Sequence, residues 1–222
     1  MTDDATTQTE LTIHTFPLGA WQTNCYVVVS GKRCAIVDAG FEPAPMLDFI
    51  EEQAFTVEKV LLTHAHLDHI GGLHAVRERY PEVPILIHAD EAEFLTDTAL
   101  NLSAMAGVGP VVAPEATGFL AHGETVDLAG HTFEVRHTPG HSPGGVSLIH
   151  HETGTAIVGD TLFAGSIGRY DFPTSDGPML MQSIREQLMS LPDTTRVLPG
   201  HGPATTVGQE RATNPYLLDP PV

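Results

Sequence analysis

From Thr63 to His69 the chain reads Thr-His-Ala-His-Leu-Asp-His, three imidazoles and a carboxylate in one short run. Neutral ring nitrogens and an anionic oxygen at that density are the donors that divalent transition metals take. His64 and His66, two positions apart, project to the same side of an extended strand end, whereas Asp68 and His69 fall where a helix would begin. The loop therefore offers donors in two directions and can serve two neighbouring metals. Gly71 and Gly72 let the backbone come close to such a site, and residues 74–79 read as the body of the following helix. A tag-like surface run would have no counterparts elsewhere, and this one has several.

Those counterparts lie downstream in matching contexts. His141 sits in the turn-rich loop 137–145 after an alternating strand at 132–136, Asp160 ends the apolar run 155–159, and His201 follows the run 196–200. Each is a polar donor at a strand end, and strand ends along one edge of a sheet are where a fold gathers distant residues into a rigid site. Periodicity places strands at 11–17, 25–29, 34–38, 59–62 and 84–88, and helices at 44–53 and 70–80. Residues 99–118, broken by Gly107, Gly109, Pro110 and Pro114, read as a long connection. Strands dominate 125–158, and a helix at 178–189 and a strand at 195–198 close the second half. Two strand-rich halves with helices outside predict an α/β chain of four layers, an αβ/βα sandwich of two mixed sheets face to face. The polar segment 1–10 is expected to be disordered, and 11–222 to form a single domain.

With 10 basic and 28 acidic residues the net charge is −18, and Lys32 and Lys59 are the only lysines. Such a surface repels phosphate backbones, so nucleic acid is disfavoured as substrate or partner, and the acidity itself suggests a salt-rich host. Neither an apolar stretch of about 18 residues nor a basic N-terminal segment is visible, so the expectation is a cytoplasmic protein that acts on a small molecule away from membranes. Oligomeric state leaves no mark in the sequence. A hairpin turn centred on residues 30–32 would set Cys34 beside Val29 rather than Cys25, which predicts buried free thiols instead of a disulfide.

Taken in order, His-x-His-x-Asp-His at 64–69, the Gly-His turn at 140–141, Gly-Asp at 159–160 and Pro-Gly-His-Gly at 199–202 resemble the metallo-β-lactamase superfamily. Within it they are similar to the glyoxalase II, or hydroxyacylglutathione hydrolase, group of thioester hydrolases. Thr23-Asn24-Cys25-Tyr26 and Val37-Asp38-Ala39-Gly40 match the superfamily's opening strands, 159–163 is similar to the glyoxalase II aspartate motif, and 205–211 with 213–216 resemble compact bacterial members. The likeness runs through nearly the whole chain. It implies the same αβ/βα sandwich, with His64, His66 and His141 on a first metal, Asp68, His69 and His201 on a second, and Asp160 bridging both. Zinc is the first expectation, with iron or manganese as alternatives. Two such ions roughly 3.5–4 Å apart would supply a metal-bound hydroxide to attack a thioester carbonyl, so no serine or cysteine nucleophile is needed. Four metal charges offset by Asp68, Asp160 and hydroxide would leave about one positive charge for the developing oxyanion. Asp68 is also the candidate catalytic residue, steering the hydroxide or passing on a proton, and Asp38 is a partner for a ligand imidazole. Arg169 and Asp171 are candidate substrate contacts, since Arg169 corresponds to a basic glutathione contact in larger glyoxalase II enzymes; the same pair could instead brace its loop.

Other readings remain open at this point. A persulfide dioxygenase of the same fold would use a single iron on His64, His141 and Asp160, a two-histidine, one-carboxylate set, and 168–172 is similar to that group too. The 199–203 segment resembles the hydrolase form instead. A lactamase fits less well because those enzymes generally lack the bridging aspartate, and a purely structural metal site would not need seven donors. His14, His74, His88, His122, His131, His137, His150 and His151 lack the family spacing and read as core, turn or surface residues. The 21 residues after His201 carry Arg211 as their single positive charge, so the basic helical grip on glutathione of larger relatives is expected to be missing.

Overall fold

The computed structural model describes residues 9–218. The chain starts with β1 (Thr12–Leu18), β2 (Thr23–Ser30) and β3 (Arg33–Val37), joined antiparallel by short turns. It continues through α1 (Ala44–Glu52), β4 (Thr56–Leu61), the short α2 (Leu67–Ile70), α3 (Leu73–Arg79), β5 (Ile85–His88) and, after several 3-10 turns, β6 (Gly118–Leu120). β3 to β6 pair parallel, as crossover connections require, and the six strands lie in chain order in one mixed sheet.

The second half forms β7 (Thr125–Leu128), β8 (His131–His137), β9 (Val146–His150) and β10 (Thr155–Gly159), all antiparallel. A small hairpin, β11 (Leu162–Phe163) with β12 (Ser166–Ile167), precedes α4 (Gly177–Ser183), which widens into a π turn at Ile184–Leu188. β13 (Arg196–Pro199) then pairs parallel with β10, and β14 (Thr205–Thr206), α5 (Val207–Thr213) and α6 (Pro215–Leu218) follow. This sheet has the order β14-β13-β10-β9-β8-β7 and is also mixed.

Three apolar layers hold the four structural layers together. β2 is buried along its whole length, and its alternation decides which layer each side chain joins. Tyr26 and Val28 face inward, meeting Phe133, Val135, Leu148 and Leu198 of the second sheet. Val27 faces outward and joins Ile36 and Val60 under Met46, Leu47 and Ile50 of α1 and Leu73 and Val76 of α3. On the far side Ile149, Ala156 and Val158 pack against Leu180, Ile184, Leu188 and Val207. Each such side chain withdrawn from water contributes about 1.5–3 kcal/mol, so the strand ends are held by cores on both sides. The expected sandwich is the one observed.

Some local expectations change. The helix expected over 70–80 is two helices, because Gly72 N–H donates to Ala39 O at 2.7 Å and a side chain at Gly72 would collide with Gly40 O. The short strands β11, β12 and β14 carry too few residues to show a period. Cys34 pairs with Val29 in the β2–β3 ladder, and both cysteines are free and buried, as the turn placement predicts. Residues 1–8 of the segment expected to be disordered lie outside the described residues, while Thr9 is anchored, its carbonyl accepting from Ser30 Oγ and facing His131 Nε2. No helix among the described residues is long and apolar enough to cross a membrane.

Candidate metal centre

The C-terminal ends of β3, β4, β8, β10 and β13 open along one edge of the sandwich, and each delivers a polar side chain just beyond its last residue. β4 leads to His64 and His66, with Asp68 and His69 in the first turn of α2; β8 leads to His141, β10 to Asp160, β13 to His201. Backbone hydrogen bonds within and between the sheets lock these ends in register. Val146 N donates to Thr63 O at 2.8 Å, Gly200 N to Gly159 O at 2.8 Å, and Asn24 N to Gly200 O at 2.7 Å. Tyr26 Oη and Asn24 Nδ2 both donate to Pro199 O, at 2.6 and 3.0 Å, which explains the Thr-Asn-Cys-Tyr segment as a clamp on the His201 loop. Gly200 has to lack a side chain, since a methyl group there would strike Asp160 Oδ1.

All seven expected donors converge. His64, His66 and His141 form one set, Asp68, His69 and His201 another, and Asp160 joins His64 and His69 in a third, with ligand atoms in each set within 4.8 Å of one another. The imidazoles are oriented from behind. His69 Nδ1 donates to Asp38 Oδ2 at 2.8 Å, His141 Nδ1 to Arg169 O at 2.8 Å, and His201 Nδ1 to Trp21 O at 3.2 Å. A ring that carries its proton on Nδ1 leaves Nε2 unprotonated, and it is Nε2 of all three that faces the centre, that of His141 lying 2.9 Å from His66 Nδ1. Asp38 also accepts from Thr63 N and Thr63 Oγ1, at 2.8 and 2.7 Å, from a left-handed backbone position (φ 62°) that aspartate tolerates.

The residues present fit a metal. His64 Nε2, His66 Nε2, His69 Nε2 and Asp160 Oδ1 are buried and make no hydrogen bond. His69 Nε2 lies 3.4 Å from Asp160 Oδ1, beyond an ordinary N–H···O bond. Buried polar atoms are seldom left so, and several crowded together are satisfied at once by cations. Electrostatics agree. Burial, reinforced by the neighbouring rings, lowers the His64 pKa well below the ordinary value, and burial together with His141 takes His66 down to about 3. Both rings are neutral at pH 7. Burial alone would lower His69 and raise Asp68 and Asp160, but it is outweighed: the surrounding carboxylates raise His69, and the imidazoles, His69 first, hold both aspartates down as anions.

Glu91 is the residue that sequence reasoning missed. It is fully buried, and its carboxylate accepts from Ala65 N at 2.6 Å and from Gly144 N at 3.1 Å. One side chain thus ties the loop carrying His64 and His66 to the loop carrying His141. Its partners are backbone amides far away in sequence, so no motif marks it; the one available signal is an acidic residue in a stretch that folds into the core. Asp68, by contrast, is steadied by Thr23, whose Oγ1 donates to its Oδ2 at 2.8 Å.

Arg169 and Asp171 both line the cavity over the donors, but they bind each other through two hydrogen bonds of 2.9 and 2.8 Å. Of the remaining histidines, His88 and His137 lie flat on one another with ring centres 4.1 Å apart, so their lone pairs run parallel rather than converge, and His137 Nε2 faces Pro143 O. His131 faces Thr9 O and Ser30 Oγ, and His74 faces Val112 O.

The sequence model of the Metallo-beta-lactamase superfamily matches residues 18–201. Among curated proteins, the probable metallo-hydrolase YqgX of Bacillus subtilis is 40% identical, over 90% of this chain and 95% of its own length. The hydroxyacylglutathione hydrolase GloC of Haemophilus influenzae is 37% identical over 93% and 98%. Among solved structures, the BLEG-1 B3 metallo-beta-lactamase superposes with a TM-score of 0.89 at 38% identity, covering 93% of this chain and 99% of that one. TTHA1623 in a di-iron-bound form gives 0.82 at 38% identity, covering 92% and 100%.

Proposed function

The chain belongs to the metallo-beta-lactamase superfamily, and from that premise we propose that it hydrolyses thioesters of the hydroxyacylglutathione type at a centre of two divalent metal ions. The observation that carries the proposal is Asp160. Its Oδ1 lies 3.4 Å from His69 Nε2, while its Oδ2 lies 3.6 Å from His141 Nε2 and 3.5 Å from His201 Nε2, so one carboxylate faces both donor sets. His64, His66 and His141 would hold one ion, Asp68, His69 and His201 the other, and Asp160 both. Zinc suits this nitrogen-and-carboxylate set, with iron or manganese as alternatives, and the di-iron form of TTHA1623 supports two ions. Ions so held lower the pKa of water and polarise a carbonyl.

The chain's own residues supply the rest. Asp38, Arg169 O and Trp21 O keep His69, His141 and His201 in the tautomer with Nε2 free. Asp68 Oδ2, fixed by Thr23 and 3.1 Å from His201 Nε2, is the carboxylate placed to accept a proton from the attacking water. The water oxygen forms a bond to the acyl carbon, the carbon–sulfur bond breaks, and the electron pair leaves on sulfur. A thiol of ordinary pKa about 8.5 departs as thiolate with little help from an acid, which suits a site whose imidazoles face inward as lone pairs.

A second reading, cleavage of a β-lactam amide, has the likeness to BLEG-1 in its favour. The single-iron dioxygenase reading would leave Asp68, His69 and His201 without a task. One set of assays separates the three: hydrolysis of S-lactoylglutathione, hydrolysis of a chromogenic β-lactam, and oxygen uptake with glutathione persulfide. Thioester hydrolysis abolished by a chelator and restored by zinc, iron or manganese is expected. Activity confined to the lactam, or oxygen uptake with one iron per chain, overturns the proposal.

A further inference from the structure

Above the seven donors opens a cavity of about 640 Å³, within the size range of small-molecule sites. Its floor carries His66, Asp68, His141, Asp160 and His201, and its walls are largely apolar: Trp21, Leu67, Leu102, Met105, Phe163 and Phe172. Two of these leave much of their apolar surface in water, Met105 at 63% exposure and Trp21 at 40%. The walls are also built. Trp21 stacks on Phe41 at 5.5 Å, Phe41 fills the space over Gly71, and the Trp21 carbonyl is the partner of His201 Nδ1, so the aromatic wall is tied to the metal-facing imidazole.

Among the described residues Arg169 is the one lysine or arginine that lines the cavity, and its charge is already paired. Its guanidinium makes both hydrogen bonds to Asp171 and lies 4.3 Å from the ring centre of Phe172. A carrier with two carboxylates, such as glutathione, meets no free positive side chain there. We propose that this cavity selects the apolar limb of its substrate, so that neutral thioesters with aliphatic acyl chains react better than short, polar acyl groups on an anionic carrier. The inference rests on the thioester-hydrolase chemistry proposed above and narrows its substrate, placing S-lactoylglutathione among the slower thioesters that the site hydrolyses.

The test uses two readouts on the metal-loaded protein. Kinetics are measured on N-acetylcysteamine thioesters from acetyl to octanoyl and on the matching glutathione thioesters. Trp21, the chain's one tryptophan, reports occupancy by fluorescence when non-hydrolysable S-alkyl thioethers of N-acetylcysteamine are titrated. With each methylene leaving water, kcat/KM should rise and the thioether Kd fall by about two- to fourfold. Met105→Glu, on an exposed wall position, should flatten both slopes. Hydrolysis at rates independent of acyl length, or a tenfold preference for the glutathione member of each pair, overturns the inference and leaves the thioesterase proposal intact. Chain-length-dependent binding without hydrolysis of any thioester removes the thioesterase proposal and supports the apolar cavity.

Discussion

Asp38→Asn should cripple metal binding without touching a proposed ligand. Asparagine keeps the volume of aspartate and tolerates the left-handed backbone at φ 62°, so the substitution isolates the loss of charge and acceptor. In the wild type Asp38 Oδ1 accepts from Thr63 N, and Oδ2 accepts from Thr63 Oγ1 and His69 Nδ1. An amide offers one acceptor and one donor in place of two acceptors. If its NH₂ takes the Oδ2 position it faces His69 Nδ1–H, and the ring must move its proton to Nε2, the atom that faces Asp68 and Asp160. If the amide is flipped, NH₂ meets Thr63 N–H. Both arrangements set donor against donor at positions no more than 1% exposed, which costs about 1–3 kcal/mol. Outer partners of metal ligands are typically worth 10–100-fold in metal affinity, about 1.4–2.7 kcal/mol, the same range. Competition against a fluorescent chelator reads this directly, with a melting curve of the metal-free variant to confirm folding. A folded Asp38→Asn protein whose metal affinities both lie within threefold of wild type would refute the tautomer argument.

Three further outcomes are expected. Asp160→Asn removes the charge that faces both donor sets, so one metal should weaken and kcat should fall by at least about 100-fold; wild-type metal content and turnover would take Asp160 out of the site. Glu91→Ala leaves the amides of Ala65 and Gly144 without an acceptor, at about 1–3 kcal/mol each, and should lower both denaturant stability and metal affinity, whereas Glu91→Gln, which keeps one acceptor, should recover part of each; equal affinity in all three proteins would reduce Glu91 to packing. With a net charge of −18, added potassium chloride should raise the melting temperature as self-repulsion is screened; a flat or falling dependence would count against surface repulsion as a destabilising force.

The donors were legible because each follows an apolar run and strand ends deliver what lies just beyond them: His64 after β4, Asp160 after β10, His201 after β13. Asp38 was legible for the same reason, at the end of β3. Glu91 was not, since a carboxylate that serves backbone amides depends on two loops meeting in space, and neither loop advertises its amides. The layers followed from two strand-rich halves with helices outside, and alternation marked β8, whereas β11, β12 and β14 span two residues each and have no period to detect. The break between α2 and α3 was not legible: Gly71-Gly72 read only as allowing close backbone approach, and the tight contact of Gly72 with Gly40 appears only in the folded chain. In sequence Arg169 read either as a substrate contact or as half of a loop-bracing pair with Asp171; the folded chain shows the pair, held by two hydrogen bonds.

The most direct test of the binuclear centre is the number of divalent ions bound per chain, measured by elemental analysis on protein purified without chelator and followed through stepwise removal and return of metal. Two ions per chain, with thioester hydrolysis lost as the occupancy drops below two and regained as it is restored, is the expected result. A single ion per chain at full activity would contradict the assignment of His64, His66 and His141 to one ion, Asp68, His69 and His201 to another, and Asp160 to both.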